Sequence, residues 1–165
     1  MRISWFTGLA AVVLAMCPGS PPGAQTVGRQ LAGVEDVTIV VAQLSNREEA
    51  CGLKETTVRA TAQNFLLTNN FTLSNDSSTS MLIEVSSLAD TELDRCFSGI
   101  QTYVYRTADY YREADGQVVE GFVLLWSDLR LATSTVDQHP VFLIGQIQNQ
   151  LELFLNDLRR DNGPV

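Results

Sequence analysis

Three alternating segments in succession constrain this chain more than any other feature. Ser80 to Leu88 sets Met81, Ile83 and Val85 against Leu82, Glu84 and Ser86. Phe97 to Thr107 sets Ile100, Thr102 and Val104 against Gln101, Tyr103 and Tyr105. Val118 to Leu131 is apolar on both sides, with Val123 and Leu125 on one and Phe122, Leu124 and Trp126 on the other. Such a period of two predicts strands, and a sheet with one apolar face must bury it under something. Asp115-Gly116, two residue types that tolerate positive φ, predicts a tight reversal before the last segment.

The cover is legible on either side of the strands. Ser45 with Glu48, and Asn46 with Glu49, have capping-box spacing; Leu53, Val58, Ala62, Phe65 and Leu66 then recur at helical intervals, which predicts a helix over Leu53 to Leu67. Gly52 blurs its start. Pro140 opens a second helix with the stripe Ile144, Ile147, Leu151, Phe154 and Leu158, closed by Asn162-Gly163-Pro164. Val34 to Leu44, rich in valine, predicts a largely buried first strand, and the polar stretches Asn69 to Thr79 and Ala132 to Gln138 read as loops. The element order is β-α-β-β-β-α. This is an α+β chain, and the economical packing is a two-layer sandwich, a four-stranded sheet with two helices on one face. Ile83, Val85, Ile100, Val104, Val123 and Leu125 are the expected core face. The strand order in space is left open.

Residues 1–25 have the order of an export signal: Met1 and Arg2, an apolar run of about fourteen residues to Met16, then helix breakers and small residues from Pro18 to Gln25. A bilayer-spanning helix needs about 20 apolar residues, so no transmembrane helix is expected after cleavage. Residues 26–165 make a single domain. Lipid attachment at Cys17 is the less favoured processing, because Met16 stands where a lipobox carries a small residue. With Arg2 removed, the mature chain carries about nine net negative charges. Its one lysine, Lys54, and its scattered arginines exclude nucleic acid as a natural partner and disfavour anionic membranes. An exported chain left with Cys51 and Cys96 predicts a disulfide between them.

Catalytic signals are sparse. His139 is the only histidine, read as a residue near a helix N-cap; no nucleophile elbow, zincin or P-loop motif occurs. No cofactor and no metal site is expected, since the carboxylate groups Asp90, Glu92, Asp94 and Asp109, Glu113, Asp115 lack calcium-loop spacing and read as solvated loop charge. The candidate binding surface is the sheet face away from the helices, where Tyr103, Tyr105, Phe122, Leu124 and Trp126 share one side with Leu82.

In layout, with Cys51-Gly52-Leu53 between first strand and helix, Trp126 in the last strand and Phe154 near the end of the last helix, the chain resembles small exported bacterial α+β domains. Its element order is similar to that of periplasmic assembly modules, such as the lipoprotein partner of the lipopolysaccharide translocon and the TolB N-terminal domain. The resemblance implies a non-catalytic periplasmic or secreted interaction module with a protein partner in the cell envelope. A binder of a small apolar ligand or lipid is the second reading and an enzyme the third.

Overall fold

The computed structural model describes residues 29–163; the leader read over residues 1–25, with Cys17 in it, lies outside the described residues. The elements are β1 (Asp36–Val41), α1 (Asn46–Ala50), α2 (Glu55–Thr68), β2 (Thr72–Leu73), β3 (Thr79–Asp90), β4 (Arg95–Arg112), β5 (Gln117–Thr135) and α3 (His139–Asn162). They build one mixed sheet in the order β2-β1-β3-β4-β5. β1 runs parallel to both its neighbours, whereas β3, β4 and β5 form an antiparallel meander. The α+β class is as expected, but five strands and three helices replace the four and two.

Local chemistry accounts for the two additional elements. Ser45 and Glu48 form a capping box, with the Glu48 carboxylate accepting from Ser45 N at 2.7 Å, and this nucleates the short α1. Gly52 then ends it at φ 76°, where a side chain would also meet Pro140 Cγ at 2.9 Å. The glycine that blurred one helix start therefore separates two helices. Within the polar stretch after α2, Ser74 N donates to Val37 O at 3.1 Å and Ser77 Oγ to Asp36 O at 3.2 Å, which stitches the two-residue β2 onto the sheet edge.

β4 and β5 also outrun the predicted strands. β3 meets β4 first at Thr79 opposite Arg106, while the β4–β5 ladder continues to Arg112 opposite Gln117. Residues 107–122 thus form a two-stranded arm beyond the body of the sheet. At the other end, Ala132 to Thr135, expected to be loop, continues β5.

The helices cover one face. Val37, Ile39, Met81, Ile83, Ile100 and Val104 from the sheet meet Val58, Leu66, Leu143, Ile147, Leu151 and Phe154 from α2 and α3, all buried. Val123, placed in the core from its alternation, is half exposed; it lies opposite Arg106 where the arm begins, past the third strand. Ile144 is only partly covered and Leu143 takes its place. A β-bulge decides the rest: Val104 pairs Trp126 but Tyr105 pairs Leu124, so Leu125 is the extra residue and the alternation of β5 changes phase there. Trp126, expected on the open face, therefore points to the helix side. It packs edge-on against Phe154 at 5.6 Å and donates its indole N–H to Asp157 at 2.9 Å.

Helix α3 holds the layers together with polar side chains as well. The fully buried Gln150 accepts from Thr102 Oγ1 at 2.9 Å and donates to Ile100 O at 3.1 Å and Asp128 O at 3.0 Å. At its end, Asp161 accepts from Leu31 N at 3.1 Å and Asn162 from Gly33 N at 2.8 Å, fixing the segment before β1.

Cys51, at the C-cap of α1, is bonded to Cys96 at the start of β4 across a sequence separation of 45, with both sulfurs buried. Closing a loop of that size restricts the unfolded chain by about 4 kcal/mol in the entropic treatment. The double variant Cys51→Ala/Cys96→Ala is expected to lose about 2–4 kcal/mol in urea unfolding, and thiol labelling of the denatured, unreduced protein is expected to find neither cysteine. An unchanged unfolding midpoint would remove the link from the account of stability.

Candidate functional site

The sheet face away from the helices carries the largest group of exposed apolar side chains that shares one surface. The register puts Leu82, Tyr103, Tyr105, Leu124 and Phe122 on it, since Leu82 pairs Tyr103, Tyr105 pairs Leu124 and Thr107 pairs Phe122. The Tyr103 and Tyr105 rings stack at 6.2 Å, and Tyr105 lies 6.0 Å from Phe122. Phe122 is 77% exposed. Burial between these rings, with the Glu84 carboxylate and Tyr103 nearby, pushes the Tyr105 hydroxyl above its usual value, so it stays a neutral donor.

Sequence reasoning missed half of this surface. Below the bulge, Leu129 and Leu131 replace Trp126 on the open side, with Phe97 and Leu88 on the adjoining strands. Leu131 is 81% exposed. Gly99, facing Leu131, leaves a shallow open depression of about 380 Å³ lined by Phe97, Ser98, Gly99, Leu131, Ala132 and Thr133. The charge on this face is mostly acidic: Glu84, and Asp109 directly opposite Glu120 on the arm. The arm is apolar on its other side too, where the Tyr110 ring lies over Gly121 so closely that a Cβ there would sit 2.5 Å from it.

Of the remaining candidates, His139 is at a helix start as read, but it is fully buried. Its Nε2 lies 2.7 Å from Ser98 Oγ, its Nδ1 is 2.8 Å from Ser134 Oγ, and Ser98 Oγ is 2.6 Å from Ser87 Oγ. Ser134 donates onward to Thr135 O, so it accepts from Nδ1–H; Nε2 is then the acceptor for the Ser98 hydroxyl, which in turn accepts from Ser87. This one-way chain fits a neutral ring. Burial lowers the histidine pKa in the same sense. At the far end of the chain, burial pushes the Glu48 carboxyl up, but hydrogen bonds from the Ser45 hydroxyl and from the Ser87 and Ser45 backbones outweigh it and hold Glu48 ionised. Ser98 and His139 are both buried, and the pair joins β3, β4 and β5 to the start of α3 beside the disulfide.

Asp90 accepts from Glu92 N and Leu93 N and shapes the β3–β4 turn, and Asp115 pairs with Arg112 at the tip of the arm. Among the described residues no three His, Cys, Asp or Glu side chains gather as a metal site, and no helix is long and apolar enough to cross a membrane. Between helices and sheet the volume is filled by Met81, Ile83, Ile100, Leu143, Ile147 and Leu151, each at 1% exposure or less.

No protein-family model matches the sequence, and no curated protein is similar to it. Among solved structures, that of a minor lipoprotein from Acinetobacter baumannii is similar over 77% of this chain and 92% of that one, at 9% identity and a TM-score of 0.37. An overlap that slight transfers neither fold nor role.

The buried ring makes a test of acid stability. Because its pKa is lowered in the folded protein, the native state is fully favoured above about pH 6.5, and stability falls by up to about 1.4 kcal/mol per pH unit below that until the folded-state value is passed. Urea midpoints measured from pH 7.5 to 5 are expected to fall for wild type and to change less for His139→Gln. Parallel curves would show that His139 does not titrate with unfolding.

Proposed function

We propose that this protein is a non-catalytic exported module of the bacterial envelope that docks a protein partner on its open sheet face. The observation that carries the reading is the face shared by Tyr103, Tyr105, Phe122, Leu124, Leu129 and Leu131, on which the last four are exposed, a grouping of apolar side chains that marks an interaction site. Trp126 is withdrawn from this surface. Aromatic side chains with few rotatable bonds make efficient anchors, and the Gly99 depression accepts one protruding side chain. Glu84, Asp109 and Glu120 favour a partner whose apolar patch is accompanied by basic residues. The export signal and the disulfide support a periplasmic or secreted address. The second reading, a ligand enclosed between helices and sheet, would need room among the fully buried side chains of that layer.

A photo-crosslinking amino acid placed at Phe122 or Leu131 is expected to trap one discrete partner in the envelope fraction, and at Thr56 on the outer side of α2 to trap none. Phe122→Asp/Leu131→Asp, with unchanged circular dichroism, is expected to lose that partner at least tenfold in recovery. Equal crosslinking from both sides, or none, would overturn the reading.

A further inference from the structure

β5 is an edge strand 19 residues long, with β4 on one side and no strand on the other among the described residues. Long edges offer a row of backbone donors and acceptors, and monomers usually blunt them with charges, lysine above all, with proline, a bulge or a covering segment. β5 has no lysine and no proline, and the charges beyond its bulge are Asp128 and Arg130. Its only bulge is at Leu125, so the seven residues from Trp126 to Ala132 keep a regular pleat.

That stretch is complementary to itself. An antiparallel partner copy centred on Leu129 brings Leu129 against its own counterpart, sets Ser127 opposite Leu131, and sets Asp128 opposite Arg130 twice. Asp128 and Arg130 already pair within one strand, Nε to Oδ2 at 2.7 Å, so two copies give a closed ring of four charges with no net charge. The helix above the edge is prepared in the same way. Gln150 and Asp157 of α3 both reach β5, and Leu153 stands three residues after one and four before the other, hence on the same flank. It is 40% exposed.

From these features we infer that β5 pairs with β5 of a second copy about a two-fold axis at Leu129, forming a continuous ten-stranded sheet with both open faces on one side. A two-fold contact of this kind uses the same edge of both copies and so stops at two, with only the short β2 edges left at the ends of the sheet. The inference rests on the β5 edge and not on the docking reading. Leu129 and Leu131 belong to both surfaces, so a crosslink from Leu131 to a second copy reports this pairing, while one from Phe122 reports the open face.

Sedimentation velocity of the mature protein at micromolar concentration is expected to give a dimer that dissociates on dilution. Leu129→Lys, a change on an exposed side chain, is expected to give a monomer with unchanged circular dichroism. Directly opposed residues in an antiparallel pair lie within disulfide reach, so Leu129→Cys is expected to form a covalent dimer on oxidation and Leu124→Cys is not. Asp128→Arg is expected to weaken the dimer at least tenfold, and Asp128→Arg/Arg130→Asp to restore it. A wild-type monomer at every concentration, a Leu129→Lys dimer, or equal crosslinking at both cysteine positions would each overturn the inference.

Discussion

The architecture depends on one buried amide. Gln150 uses its oxygen for Thr102 and both its hydrogens for the carbonyls of Ile100 and Asp128, so a single side chain fixes the height and rotation of α3 over the last two strands. A buried amide satisfied on every side tolerates little displacement, because each lost bond leaves a desolvated polar group behind. With α3 held there, Phe154 is delivered to Trp126 and Phe71, and Asp161 and Asn162 reach back to the segment before β1. Apolar contact supplies most of the attraction between the layers. The amide adds direction to that attraction, since only a narrow range of positions of α3 keeps all three of its bonds.

A second polar assembly does the same for the opposite end of the helix. The disulfide, the Ser87–Ser98–His139–Ser134 chain and the close approach of Gly52 to Pro140 meet where α1, the meander and the start of α3 converge. Three elements distant in sequence are tied there by groups that are individually small. Ser87 and Ser98 face the core on strands where valine or isoleucine would otherwise stand, which is why so polar a junction is compatible with complete burial.

Much of this was legible in the residues. The periodicities of Met81, Ile83 and Val85, of Ile100 and Val104, and of Ile147, Leu151, Phe154 and Leu158 placed three strands and the last helix, and the Ser45–Glu48 capping box was correct in detail. What escaped depended on partners rather than on local pattern. The bulge at Leu125 sits inside a run apolar on both sides, where a change of phase leaves no mark, and it moved Trp126 to one face and Leu129 and Leu131 to the other. The β2 pairing rests on two residues in a serine-rich stretch that bond to β1 only once both are in place. Gln150 left no signal in the helical stripe, since nothing local distinguishes an amide that will meet two strand carbonyls from one that will meet water.

The parallel pairing of β1 with β3 has a consequence for the order in which the protein can form. A chain threaded outward from its amino end releases β1, α1 and α2 before the strand that β1 must join, and Cys51 emerges well ahead of Cys96. During that interval the Cys51 thiol has no partner among the described residues of its own chain, and the apolar side of α2 has no sheet to rest on. Maturation of the crosslink therefore waits on the meander, and an error at that stage joins Cys51 to a thiol other than Cys96. A delay in synthesis or passage between Cys51 and Cys96 would lengthen this exposure, while the same delay after Cys96 would leave the crosslink free to form.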